Sequence, residues 1–301
     1  MPTAPAKINT TPDRGAAEAA NRARNRQAQV GRRRHWRPAR DALWRLLDAH
    51  VRPGASVAVV GVGNGDDLPL RRLARRAGRL DLIDIDGDAA RAARRRLLSR
   101  RSRVTAVAAD VTDGDADRAV QAAIAGHAPP PGTAPPRRLA GGPYDVVVAD
   151  LLYTQLLFPA LLDAGLPGDA VQAALAKAGP PVTRRLVQRL HASAPEGMVV
   201  HLHDLLGWWS QHDQPFGIDA VLELGARDLP AALALADGGR SPVGADPRPI
   251  LKELGADVVD TALWRWPFDD VAEYLVVATV ARSPGPARSP GPARGPGLRS
   301  R

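Results

Sequence analysis

Residues 57–70 read VAVVGVGNGDDLPL. The first four are apolar and mostly β-branched, the composition of a strand buried on both faces. Gly61-x-Gly63-x-Gly65 follows at once, and a helix-favouring run, LRRLARRA, opens at Leu70. Strand, glycine turn and helix in that order bring backbone close to a nucleotide-like ligand. The turn is tight, and a Cβ on it would stand in the ligand's way. Asp84 ends the next apolar run, LDLIDI (80–85), 19 residues after Gly65. A carboxylate there can hold a ribose diol with two hydrogen bonds.

Outward from this unit, strands and helices alternate. WRPARDALWRLLDAH (36–50) places Trp36, Leu43, Leu46 and Leu47 at helical spacing ahead of the first strand. Asp67 is expected to cap the helix after the glycines, with Pro69 in its first turn, and Asp86 the helix over 88–100. VTAVAA (104–109), YDVVVAD (144–150) and GMVVHLHD (197–204) read as the third, fourth and fifth strands. Helices are expected over 115–126, 169–178 and 182–193, with a Pro/Gly-rich loop at 127–143. Residues 205–247 read as irregular. A short helix near 247–254 and strands at 256–263 and 273–281 complete the chain. This alternation predicts an α/β, Rossmann-like fold: a mostly parallel seven-stranded sheet, helices on both faces, the last strand antiparallel.

Composition narrows the function. The chain has no cysteine, which excludes thiolate nucleophiles, disulfides and cysteine-based zinc sites. The total charge of +9 is unevenly spread. Residues 1–40 hold ten Lys/Arg and two acids, residues 282–301 five Arg and no acid, and residues 41–281 carry −4. Nucleic acid is therefore expected at the basic ends only. Three segments follow: a basic, disordered arm over 1–35, a folded domain over 36–281, and a disordered tail over 282–301, where SPGPAR repeats. The opening residues lack the apolar core of a secretory signal, and no apolar run approaches the ~18–20 residues of a membrane span, so a cytoplasmic protein is expected.

VVGVGNG (59–65), LIDID (82–86), AAD (108–110) and YDVVVAD (144–150) together resemble the class I S-adenosylmethionine-dependent methyltransferases, in order and spacing, over residues 36–281. The resemblance implies S-adenosylmethionine as cofactor. Gly61, Gly63, Asn64 and Gly65 would line its methionine part, Asp84 would bind the ribose, Asp110 the adenine amino group, and Asp150 would lie near the reacting methyl. Many members carry an acid two residues before the first glycine, where this chain has Val59. Asp66 or Asp67 is the candidate to replace it at the methionine ammonium. Their charge also suits a sulfonium better than the diphosphate of a nicotinamide dinucleotide.

The acceptor is less legible. AspLeuLeuTyr (150–153) lacks the prolines of the Asn/Asp-Pro-Pro-Tyr signature of amino-group methyltransferases of nucleic-acid bases and amides. A small molecule or a protein side chain is therefore the expected acceptor. At the end of the fifth strand, His201 and His203 share one side of the sheet by period two. His203 and Asp204 are candidates for a base or substrate contact alongside Asp150. No third residue accompanies the His pair, so no metal site is expected. Trp208 and Trp209 are candidates for an acceptor wall, Trp264 and Trp266 weaker ones. A spermidine-synthase-like aminopropyl transferase resembles the same motifs, but the stretch after Asp150 has no acid before Asp163. A nucleic-acid-associated protein on the same scaffold is the remaining alternative, supported by the Arg-rich segment 22–40.

Overall fold

The computed structural model describes residues 15–27, 31–127, 135–210, 212–242 and 244–283. The expected tail falls, from residue 284 on, outside them. Seven strands form one sheet: β1 (Ser56–Val60), β2 (Arg79–Asp84), β3 (Val104–Ala108), β4 (Val146–Ala149), β5 (Met198–Trp209), β6 (Asp257–Pro267) and β7 (Ala272–Arg282). Their order is β3-β2-β1-β4-β5-β7-β6. Strands β1 to β5 pair in parallel, and β7 runs antiparallel to both neighbours. The Rossmann-like sheet with an antiparallel last strand is therefore present as expected.

The helices are α1 (Ala16–Arg26), α2 (Arg32–His35), α3 (Arg37–His50), α4 (Leu70–Arg76), α5 (Gly87–Arg95), α6 (Asp115–Ile124), α7 (Phe158–Asp163), α8 (Gly168–Ser193), α9 (Ile218–Gly225), α10 (Leu229–Asp237) and α11 (Arg248–Glu253). They cover both faces of the sheet. One face packs Ala58, Val147 and Val199 against α6, α7 and α8; the other packs Val57, Val59 and Val200 against α3, α4 and α5.

Four readings are corrected. Residues 16–26 are not a disordered arm: they form α1, which buries Ala17 and Ala20 against the body. Its buried stripe is alanine, too small among the arginines to register as hydrophobic periodicity. The two helices expected at 169–178 and 182–193 are one 26-residue helix with Pro180 and Pro181 inside it. Proline normally ends a helix, but Leu175, Ala178, Val182, Leu186 and Leu190 make one buried stripe across the break, and burial overrides the local signal. The stretch 205–247 is not irregular: β5 runs on to Trp209, and α9 and α10 follow, their apolar sides closing a third core around Leu206, Val221 and Val277. Finally, α4 starts at Leu70, and Asp67 makes no cap. Asp86 does cap α5, accepting from Asp88 N and Ala89 N.

Candidate active site

β1 lies between β2 and β4, and the chain departs from it in both directions across the sheet. In open parallel sheets such a reversal leaves a crevice beyond the carboxyl ends of the two central strands. The Gly61 turn leaves β1 there, and Asp150 leaves β4 there. Gly61 has φ +79°, and a Cβ on it would stand 3.0 Å from the Asp150 carbonyl oxygen, so the two turns approach as closely as glycine permits. Asp84, at the end of β2, accepts from Gly63 N–H through Oδ2 and from Asp86 N–H through Oδ1, both at 2.7 Å. It thereby braces the glycine turn from beneath.

The crevice is a cleft of about 390 Å³, lined by Gly61, Gly63, Asn64, Gly65 and the carboxylates of Asp66, Asp67, Asp84, Asp150 and Asp204. The two acids after the glycines divide their tasks. Asp66 is tied down: Arg96 reaches its Oδ1 at 2.7 Å, and Arg40 donates to its carbonyl. Among the described residues no salt bridge engages Asp67, Asp84 or Asp150. Burial pushes the Asp67 carboxyl up to about 6, with nearby Asp66 adding to the shift. Burial pushes Asp84 up to about 6 and Asp150 well above its ordinary value, the latter helped by the charges of Asp67 and Asp84.

These shifts make a prediction. A buried acid that holds its proton harder in the folded chain than in the unfolded one takes up protons on folding. Its contribution to stability is therefore lost as pH rises from about 4 through about 6. A cationic ligand reverses the balance, because it favours the ionised carboxylates. Affinity for S-adenosylmethionine is expected to rise about tenfold or more from pH 5 to pH 7, and that for uncharged-sulfur S-adenosylhomocysteine by less. Titrations at pH 5, 6 and 7 read this directly; equal, flat profiles would contradict it.

One wall of the cleft comes from α1. Asn25 donates to Asp86 Oδ2 (3.1 Å), Asn64 donates to the Asn25 carbonyl (2.8 Å), and Asn21 and Asn25 line the cleft. Opposite, Trp36, Trp266, Phe268 and Tyr274 form an aromatic cluster with ring centroids 5.0–6.0 Å apart. Asp110 faces a small side cavity of about 60 Å³ shared with Asp84, Gly61 and Asn21. Its own carboxylate is engaged by Thr112 N–H and Oγ1 and by Gly114 N–H, which shape the turn after β3.

A second chamber, about 410 Å³, lies beside the cleft between α7, α8, Ser241, Pro242, Gly244 and Ala245. Gln155, Phe158, Asp204 and Tyr274 border both spaces. Asp204 thus stands at the junction. Thr154 donates to its Oδ1 at 3.0 Å, and burial pushes its carboxyl up to about 7. His203 borders neither space. It is 1% exposed, its Nε2 lies 3.3 Å from Asp246 Oδ1, and burial pushes its ring down to about 4. It shares a face with His201, as period two requires. His201 is buried between Tyr153 (Nδ1 to the hydroxyl, 2.5 Å) and His191 (Nε2 to Nε2, 3.2 Å). Both ring nitrogens of His203 are buried without a hydrogen-bond partner among the described residues, whereas Asp204, the next residue, borders both spaces.

Of the tryptophans, Trp209 borders the chamber, Trp266 the cleft, and Trp208 turns inward to donate to the Phe216 carbonyl at 3.0 Å. Trp264 is buried in the core. Asn21, Asn25, Thr154 and Tyr274 were not marked by any sequence pattern; each reaches the site from an element remote in the chain.

No family model and no curated protein matches the sequence. Solved structures similar to it include a SAM-dependent methyltransferase from Leishmania major (14% identity, TM-score 0.46, covering 88% of this chain and 83% of that one). The N-methyltransferase NodS from Bradyrhizobium japonicum WM9, in complex with S-adenosyl-L-homocysteine, is 17% identical (TM-score 0.42, covering 90% and 99%). Magnesium protoporphyrin IX methyltransferase from Synechocystis PCC 6803, with bound SAM, is 14% identical (TM-score 0.41, covering 87% and 90%).

Proposed function

We propose that this chain is an S-adenosylmethionine-dependent methyltransferase acting on a small-molecule acceptor. The observation that carries this reading is the convergence of Asp67, Asp84 and Asp150 on the glycine-turn crevice with no salt bridge to any of them among the described residues. Buried carboxylates without a salt bridge favour a ligand that brings positive charge. The group fits the residues present: Asp84 for the ribose hydroxyls, the Asp110 side cavity for the adenine, Asp67 and Asp150 for the ammonium and sulfonium charges. Asp67 here stands in for the acid missing at Val59. When bound, the cofactor supplies a methyl group on a positively charged sulfur. The chain's own residues hold it, exclude water with the aromatic cluster and α1, and open onto the acceptor chamber beside Asp204.

A dinucleotide fits poorly. Its diphosphate needs a helix N-terminus directly after the glycines, whereas α4 is seven residues long and begins only at Leu70. A polyamine also fits poorly, because Asp204 is the single carboxylate among the chamber's described lining residues.

Calorimetric titration of the full chain with S-adenosylmethionine, S-adenosylhomocysteine and NAD tests the reading. Micromolar binding of the first two and none of NAD is expected; absence of both sulfur ligands would refute it.

A nucleic-acid-binding reading has one observation of its own. Arg33, Arg37, Arg40, Arg71, Arg72 and Arg75 border one groove on α2, α3 and α4, with Asp41 the single acid there. Single-stranded RNA binding that survives removal of residues 1–14 and 284–301, with a steep salt dependence, would assign an RNA partner to this groove.

A further inference from the structure

The methyltransferase reading leaves open what enters the second chamber, and the chamber's wall chemistry restricts it. Its floor and sides are largely apolar: Leu156, Leu157, Leu175 and Val182. Its volume of about 410 Å³ suits a compact molecule. Its single carboxylate among the described lining residues is Asp204, beside polar side chains that include Thr154, Gln155, Gln172, Thr183 and Arg240. Asp204 is 9% exposed, and its carboxylate accepts from Thr154 Oγ1 and from its own backbone N–H. It borders both the chamber and the cofactor cleft. Tyr274 and Trp209 line the same chamber, their ring centroids 6.1 Å apart, with His212 stacked on Trp209. A buried carboxylate in such a chamber is a receptor for an ammonium group, through a charged hydrogen bond. A hydroxyl uses only the hydrogen bond, and a carboxylate is repelled.

We propose that the acceptor is a small, apolar primary or secondary amine, that its body lies against Leu156, Leu175 and Val182, and that Asp204 receives its nitrogen at the mouth of the cofactor cleft. The inference rests on the methyltransferase reading for the reaction but not for the binding. In the reaction the ammonium first gives a proton to the Asp204 carboxylate. The freed nitrogen lone pair then forms a bond to the methyl carbon as the carbon–sulfur bond breaks. The pair of that bond stays on sulfur, and the products are the methylated, protonated amine and S-adenosylhomocysteine. Asp204 afterwards releases its proton to water.

The test uses the full chain and three probes with one body: 2-phenylethylamine, 2-phenylethanol and phenylacetate. Each is titrated at pH 8, with and without S-adenosylhomocysteine, and followed by tryptophan fluorescence and calorimetry. The amine is expected to bind at least about tenfold tighter than the alcohol, the worth of a charged hydrogen bond, and phenylacetate weakest. Asp204→Asn is expected to bring the amine down to the alcohol and leave the alcohol unchanged. Equal binding of amine and alcohol, an unchanged preference in Asp204→Asn, or tightest binding of phenylacetate would each overturn the proposal, the last handing the ligand to Arg240 at the outer rim. If Asp204→Asn does not fold, the order of the three probes on the unaltered protein decides alone. S-Adenosylhomocysteine binding without amine preference refutes the amine and spares the methyltransferase reading. Amine preference without S-adenosylhomocysteine binding does the reverse.

Discussion

Asp84→Ala is expected to weaken S-adenosylhomocysteine binding about a hundredfold or more while leaving the fold nearly as stable as before. The loss of affinity follows from the position of the group. A carboxylate at the end of β2 offers two acceptor oxygens to a ribose diol, and two hydrogen bonds to a charged group are together worth about 3–5 kcal/mol. The near-neutral stability follows from two opposing terms. Alanine strands the N–H groups of Gly63 and Asp86, now bonded to Oδ2 and Oδ1, at about 1–3 kcal/mol each if they stay dry. Against this, burial raises the Asp84 carboxyl from 3.8 to about 6, so its ionised form at pH 7 costs the folded state about 3 kcal/mol. Removing the charge returns that amount. Calorimetric titration beside a thermal melt separates the two effects. A variant that binds normally would remove Asp84 from the site. One that unfolds outright would show that its role is to brace the glycine turn.

Gly244→Ala is expected to destabilise the protein by about 2–5 kcal/mol. Gly244 has φ +75°, a conformation that costs an L-residue about 1–2 kcal/mol. Its Cβ would also stand 2.6 Å from the Leu175 carbonyl and 3.0 Å from Gly179 Cα, both backbone atoms of α8 that cannot step aside. Forcing such a contact adds about 1–3 kcal/mol. At about 2–4 °C per kcal/mol, the melting temperature should fall by about 4–20 °C. Gly54→Ala is the control. It has φ +84° but nothing within 4 Å of the added carbon, so only the conformational cost of about 1–2 kcal/mol applies. Equal melting shifts in the two variants would mean that the close approach of residue 244 to α8 contributes nothing. Gly244 borders the acceptor chamber, and its displacement should also reduce binding of the amine probe.

The sheet and the cofactor end of the site were readable from the chain because each rests on short-range order. Val57–Val60 is uniformly apolar because both faces of β1 are covered. The glycines follow it because the turn must clear a ligand, and Asp84 ends the neighbouring strand because β2 pairs with β1 in register. Such features need only residues that are near one another in sequence, or one parallel pairing.

The rest depended on what lies opposite. Asp66 and Asp67 are chemically alike and adjacent, and only the position of Arg96 on the far end of α5 decides that Asp66 is paired while Asp67 faces the cleft. His203 and Asp204 are likewise adjacent at the end of β5. Alternation puts them on opposite faces, but it does not say which face carries the chamber. Helix α1 looked like a charged arm, because its buried stripe is alanine and its partners, Asp86 at the start of α5 and Asp117 in α6, bond to it from 61 and 100 residues away. Sequence by itself determined the strand, the turn and the acid that ends β2, since periodicity and glycine chemistry are local. Only the tertiary structure decided which carboxylates are left without a salt bridge, because a charge's role is set by its neighbours in space.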